Sequence, residues 1–281
     1  PAPKTLFEGI NKLEPGTWLC INENGNIKNH RWYEVWDHVN PSDVSNEKDI
    51  YEQVYEKLHD SVSIHKESDV PLGVFLSGGL DSSANAMLFS ENSQSAINTF
   101  SIGYDANYKT YTSELPYAKQ MAEKVGANYH EKILTEKDFM DFLPRMIHLQ
   151  DEPIADPVCM PVYYVSKLAR DNGVKVCQVG EGADELFWGY KNWKQWQKFQ
   201  HHTNNSWAHL LATPGVQMMK MTGMSNSRFY DALSRSSKRK PIFWSSAQGP
   251  SSHERELILG SNLRKELKGL DGWSSIEPLW N

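Results

Sequence analysis

The stretch Val70-Pro71-Leu72-Gly73-Val74-Phe75-Leu76-Ser77-Gly78-Gly79-Leu80-Asp81-Ser82-Ser83 changes character halfway along. Its first half is a short apolar run beside a proline, the pattern of a buried strand. Its second half is a glycine pair followed by a helix-like segment, Asp81 to Ser90. Glycines at the exit of a strand let the backbone turn tightly and present its N–H groups to an anion. A helix starting just afterwards adds the positive end of its dipole to the same spot. Hydroxyls of Ser77, Ser82 and Ser83 are further donors, whereas Asp81 carries the wrong charge for phosphate unless a cation lies between them. The combination predicts a polyphosphate or pyrophosphate held together with Mg²⁺. The plainer alternative is a strand-to-helix turn with Asp81 as helix N-cap. A Walker A loop is excluded, because its Lys-Ser/Thr ending is missing.

Downstream, strand and helix patterns keep alternating. Ala96 to Gly103 reads as a strand, and Ser113 to Val125 as a helix with Leu115, Ala118, Met121, Ala122 and Val125 on one side. Asn128 to Leu134 is a third strand, followed by a helix capped by Thr135. Pro157 to Asn172 is a helix and Val174 to Val179 a fourth strand. Short parallel strands joined by helical crossovers predict an α/β fold, a parallel sheet flanked by helices, with ligands at the carboxyl ends of the strands. The glycine loop, Gly103 and Gly180 all sit at such ends.

The flanks differ from this middle. Trp18 to Ile21 and His30 to Trp36 are expected to form a hairpin about the turn Glu23-Asn24-Gly25-Asn26. Such a unit is too small to be independent, so it reads as the last hairpin of a larger domain upstream. A helix is expected from near Ser42 to His65, with apolar positions at Ile50, Val54, Tyr55 and Leu58. Beyond Tyr190 the pattern weakens. Helices are expected around Trp193, Trp196 and Trp207, together with a Ser- and Arg-rich stretch at Ser225 to Ser237 and a mobile loop between His201 and Pro250. The adjacent His201 and His202 are read as surface residues, since neighbours in sequence do not share a helix face.

Composition sets the outer bounds. The 281 residues are 39% hydrophobic and 23% charged, ordinary for a globular protein. A net charge of −6 and no long basic run argue against a nucleic-acid surface. No apolar stretch approaches the roughly 18 residues of a membrane span, and no signal peptide is visible at Pro1 to Cys20. Cys20, Cys159 and Cys177 lie far apart, which fits reduced thiols rather than a zinc site, and the chain reads as cytoplasmic.

A second motif repeats the logic of the first. Gly180-Glu181-Gly182-Ala183-Asp184-Glu185-Leu186-Phe187-Trp188-Gly189-Tyr190 is a glycine-flanked turn after an apolar strand, then a helix with acids in its first turn. The spacing allows Glu181, Asp184 and Glu185 to share a helix face. These acids could simply complement the helix dipole. For Glu181 and Asp184, Gly180 and Gly182 instead suggest close backbone approach to a ligand. Asp81 and Asp184 would then offer carboxylate oxygens to Mg²⁺ on a triphosphate.

The first loop resembles the pyrophosphate-binding loop of the N-type ATP pyrophosphatases, and the pair of motifs resembles the synthase domain of the asparagine synthetase family, shared with β-lactam synthetase. Supporting likenesses are Thr99-Phe100-Ser101-Ile102-Gly103-Tyr104, Glu114 with Tyr117-Ala118, and Asp151-Glu152-Pro153-Ile154-Ala155-Asp156-Pro157. Thr5 to Ile10 with Pro15-Gly16 resembles the end of that family's glutaminase domain. The likeness implies an adenine-nucleotide α-hydrolase-like fold with a helical C-terminal part. It places the end of a glutaminase domain at residues 1–40 and an ATP-binding synthase domain, truncated at its C-terminus, at 41–281. The implied chemistry is adenylation of the aspartate side chain by ATP, then attack by ammonia from an upstream glutaminase domain. On this resemblance Ser77, Gly78, Gly79, Asp81, Ser82 and Ser83 hold pyrophosphate. Phe75, Ile102, Gly103, Val179 and Gly180 lie at the nucleotide, and Glu181 takes a proton near the acyl centre.

Two departures are visible: Val179 stands where many relatives have Ser, and Trp188 where Gly is common. The family's N-terminal cysteine nucleophile is missing, as is its later R-V-P-F-L-D segment. The chain is therefore expected to be a fragment that binds ATP without completing turnover alone. Alternatives are activation of another acid, a sugar carboxylate or β-lactam precursor, and a non-catalytic nucleotide-binding module. A homodimer is left open.

Overall fold

The computed structural model describes residues 3–39, 46–105, 112–154, 156–203, 208–242, 251–267, 269, 273 and 277. They group into two units, Pro1–Glu181 and Gly182–Asn281. The first unit opens with a hairpin of β1 (Thr17–Ile21) and β2 (Ile27–Arg31), with Thr17 opposite Arg31. Its return begins earlier than the expected His30. The Asn22 side chain is the reason: its Oδ1 accepts the N–H groups of Asn24 and Asn26 at 3.1 and 2.9 Å. With Gly25 left-handed at φ 77°, that clasp closes the turn before Ile27. Trp36 falls in a 3-10 turn, Val35–His38, rather than in the strand. Helix α1 (Glu47–Ile64) follows, its first turn capped by Asn46, which accepts from the Lys48 N–H. The start expected near Ser42 lies outside the described residues.

The sheet comprises β3 (Leu72–Phe75), β4 (Asn98–Tyr104), β5 (Asn128–Leu134) and β6 (Val176–Gln178), in the order β5-β4-β3-β6 and all parallel. Its crossovers carry α2 (Leu80–Ser90), α3 (Leu115–Lys124), α4 (Glu136–Leu149) and α5 (Cys159–Asp171). One face buries Val74 and Leu76 against Ala86 and Phe89 of α2 and Ala118 and Ala122 of α3. The other buries Phe100 against Val165 and Ala169 of α5, while Leu134 packs with Phe142 of α4. Fully buried valine, leucine and phenylalanine side chains each contribute roughly 1.5–3 kcal/mol, so the two-sided sheet is the stabilising centre of the unit. Helix α4 starts where Thr135 predicts, through a capping box with Asp138. The Thr135 backbone N–H holds the Asp138 carboxyl below its ordinary range.

The second unit is helical: α6 (Ala183–Phe187), α7 (Lys191–Thr203), α8 (Ala208–Met221), α9 (Arg228–Ser237), α10 (Ser252–Ile258) and α11 (Ser261–Glu266). Trp193 and Trp196 lie on α7 as expected. The Ser- and Arg-rich stretch is α9, started by Ser227, whose hydroxyl accepts the Tyr230 N–H at 3.1 Å. Gly215 of α8 lets α9 come close, since a Cβ there would stand 2.9 Å from Leu233. Trp207 and part of the loop expected between His201 and Pro250, at 204–207 and 243–250, lie outside the described residues. Among the described residues no helix is long and apolar enough to cross a membrane.

Candidate active site

The strand order places the first motif. From β3 the sheet winds through β4 to β5, then returns to the other side of β3 for β6. The reversal lies between β3 and β6, the topological switch point where open α/β sheets bind ligands beyond the carboxyl ends of the strands. Val74 pairs with Gln178 at the end of the ladder, and Ser77 and Glu181 follow at equal distances along the two exits.

The exit from β3 is braced before it turns. The Leu76 N–H donates to the Phe100 carbonyl at 2.9 Å, and the Leu76 carbonyl accepts the buried Ser101 hydroxyl at 2.5 Å. Gly78 then adopts φ 91°, and a Cβ there would stand 2.6 Å from the Glu114 carbonyl and 2.8 Å from the Ala118 nitrogen. The loop therefore lies directly on the start of α3, which explains why Ala118 is fully buried. Gly79 caps α2. The remaining contacts run inside the loop: Ser77 N–H to Ser82 Oγ, Ser77 Oγ with Ser82 Oγ, Gly79 N–H to Ser77 Oγ, and Ser82 Oγ to the Gly79 carbonyl.

Gly180 presses on the same structure. A Cβ there would lie 2.6 Å from the Asp81 carbonyl and 3.0 Å from the Ser82 Cα. The close backbone approach read from this glycine is thus made to the first turn of α2. Gly103 is comparable, its missing Cβ leaving room for Leu115 of α3 and Ile133 of β5. Phe75 and Ile102 pack their side chains into the Phe100 layer, and their backbones pair in the sheet, Phe75 with Phe100 and Ile102 with Lys132. Val179 is exposed.

Glu181 does not share a helix face with Asp184 and Glu185. Gly182, at φ 96°, is the left-handed residue before α6, and it sets Glu181 outside the helix. Glu181 closes the first unit and Asp184 lies in the second. Within that second unit, Asp184 rests over Gly189, where a Cβ would fall 1.7 Å from its Oδ1. Glu185 accepts the Tyr190 hydroxyl at 2.6 Å, and this bond holds its carboxyl below the ordinary range. Trp188 ends α6 in the left-handed region at φ 55° and meets Trp193 edge-on at 5.5 Å. Glycine suits that position better, so the departure at Trp188 costs about 1 kcal/mol of backbone strain.

Burial pushes the Cys177 thiol up to about 11, which disfavours the thiolate form. Among the described residues no group of three or more His, Cys, Asp or Glu side chains is arranged to hold a metal ion. Mg²⁺ needs no such cage, since it is commonly held by one or two carboxylates with substrate phosphates and waters, and Asp81 and Asp184 are donors of that type. Sequence reasoning did not single out Ser101 or Leu115 as supports of the site. A hydroxyl inside the apolar strand Thr99 to Tyr104 was the available signal for Ser101.

Fold and site together define a parallel α/β domain whose glycine-turned strand exit opens at the switch point. Residues 53–269 match the family described as asparagine synthase, and the chain belongs to that family. It is 36% identical to asparagine synthetase [glutamine-hydrolyzing] 1 of Bacillus subtilis over 69% of this chain and 30% of that protein. The amidase chry2 of Gibberella zeae is 25% identical and aligns with 97% of this chain and 46% of its own length. The chain thus spans less than half the length of either relative. An NH3-dependent NAD synthetase from Campylobacter jejuni aligns over 81% of this chain and 96% of its own, at 14% identity and a TM-score of 0.34, too slight a likeness to bear on the fold.

Proposed function

We propose that this chain carries the ATP-using step of a carbon–nitrogen ligase, in which a carboxylate is adenylated and then attacked by ammonia. The observation that carries the reading is the Ser77–Ser83 loop, preformed at the switch point of a chain that belongs to the asparagine synthase family. The carboxylate is the side chain of aspartate. One of its oxygens attacks the α-phosphorus of ATP, the bond to the bridging oxygen breaks, and pyrophosphate leaves. Ammonia, supplied by a glutaminase domain to which the β1–β2 hairpin belongs, adds to the acyl carbon, and AMP leaves with the bonding pair.

The residues divide that work. Backbone N–H groups of the Ser77–Ser83 loop and the first turn of α2 bind the pyrophosphate. Phe75, Ile102, Gly103, Val179 and Gly180 border the nucleotide through backbone groups. Glu181, exposed at the exit of β6, takes a proton from the attacking amine. Mg²⁺ would be held through Asp81 of the first unit and would supply charge neutralisation for the leaving pyrophosphate; Asp184, in the second unit, is a carboxylate donor of the same type.

A second reading keeps the activation and changes the acid. It is favoured by one observation: the amidase relative aligns with nearly the whole chain, whereas the Bacillus synthetase aligns with 69%. The experiment is ATP–pyrophosphate exchange with a panel of carboxylates, followed by mass spectrometry of products formed with ammonia in the full-length protein. Aspartate-dependent exchange and asparagine support the first reading. Exchange with another acid transfers the conclusion to the second, and a full-length protein with no acid-dependent exchange at all sinks both.

A further inference from the structure

We infer that the Lys12–Glu152 ion pair is a docking clasp. It holds the hairpin-bearing segment on the ligand side of the sheet and so couples glutamine-derived ammonia to the acyl centre, a role that rests on the ligase reading above. Lys12 Nζ stands 2.9 Å from Glu152 Oε1. Among the described residues, no other hydrogen bond or ion pair joins residues 3–39 to the rest of the first unit. Strand β2 is exposed at all five of its residues, so burial of that strand adds no hold. The polar attachment of this segment is therefore a single side-chain contact.

Both partners are presented by closed turns. Lys4 and Asn11 form an antiparallel bridge, the Lys12 N–H donates to the Pro3 carbonyl at 2.8 Å, and the Thr5 hydroxyl donates to the Ile10 carbonyl at 2.7 Å. Glu152 lies in the loop between α4 and α5, whose far end is fixed by the Val158 N–H on Asp156 Oδ1 at 2.9 Å. That loop is on the ligand side. Met160, at the start of α5, packs with Leu134, the last residue of β5, so α5 begins at the carboxyl ends of the strands and runs back toward the start of β6. The Glu152 side chain is 17% exposed and that of Lys12 is 52% exposed, so losing Lys12 leaves a mostly covered charge without its partner. Ammonia is small and diffuses away unless its source is held close. Its effective concentration at the acyl centre follows the docking of the segment that carries the source.

The test uses the full-length protein and compares product formed with glutamine against product formed with free ammonia. Lys12→Ala should lower the glutamine-dependent rate roughly two- to fivefold, the range of an exposed ion pair. The ammonia-dependent rate and glutamine hydrolysis should stay unchanged, so that more glutamate is released per product. Lys12→Arg should retain the parent ratio, and Lys12→Glu combined with Glu152→Lys should recover most of what either reversal loses. In the present chain without ligand, Lys12→Ala should speed hydrogen exchange at the Val158 and Cys159 amides by a similar factor. Equal losses with glutamine and ammonia, or a parent ratio retained in Lys12→Ala, overturn the coupling, and unchanged exchange overturns the clasp. If the full-length parent forms no product from ammonia, the ligase reading fails and the coupling falls with it, while exchange in the present chain still decides the clasp.

Discussion

The two glycine-turned motifs are built on different principles. The Ser77–Ser83 loop is held by parts of the chain remote from it: Ser101 of β4 on the Leu76 carbonyl, and the start of α3 against Gly78. The contacts described for the Gly182–Tyr190 segment lie close by in sequence, with Gly189 under Asp184, Tyr190 on Glu185 and Trp193 against Trp188 and Tyr190. One is an extension of the core, and the other is a short helix whose described contacts are local. Changes to the first should therefore cost fold and binding together, whereas changes to the second should alter function at little expense of stability.

The largest effect that would sharpen this contrast is at Gly78. Gly78→Ala puts a Cβ into the α3 backbone at a left-handed φ, and a loss of roughly 2–5 kcal/mol is expected by chemical denaturation. A variant of unchanged stability would mean that the loop does not lie on α3. Next comes Ser101→Ala, which leaves the Leu76 carbonyl unpaired in a buried site and should cost about 1–3 kcal/mol. ATP affinity should fall alongside, and retained affinity with lowered stability would show that the brace does not reach the loop.

Gly189→Ala should behave in the opposite way. The new methyl displaces the Asp184 carboxylate, so acid-dependent ATP–pyrophosphate exchange should drop roughly tenfold or more with stability within about 1 kcal/mol of the parent. The smallest effect is that of Tyr190→Phe. A carboxyl whose folded pKa is depressed contributes stability above its ordinary value of 4.5 and loses it as pH falls further. Removing the Tyr190 hydroxyl should therefore lower stability slightly at neutral pH, leave it unchanged in strong acid, and so flatten the fall in stability below pH 4.5. An unchanged acid limb would show that the bond does not hold Glu185.

The parts of the fold set by local pattern were legible. Period-two and apolar runs located all four parallel strands, with Asn128–Leu134 matching residue for residue. Thr135 announced its helix because capping is a contact within four residues. What escaped was decided by side chains or backbones acting across the chain. Asn22 closed the hairpin early through one carbonyl oxygen, and Gly182 turned left-handed and removed Glu181 from the helix. The glycines of the candidate site were visible as glycines, yet their neighbours were not. Gly103 and Gly180 are small because Leu115 and Asp81 arrive there through tertiary packing, which no spacing rule contains.

The pairing of β3 with β6 bears on how the molecule comes into being. Leu72 must wait for Val176 to be synthesised and folded back, and contacts of such long loop closure form slowly. Until then β3 is an open edge beside β4, with the buried Val74 at its centre and unpaired amides along it, the kind of edge that recruits other chains. The short strand Val176–Gln178 is thus the last cover for that edge. Truncations or inserts that delay it should raise aggregation during refolding well before they touch any residue of the loop.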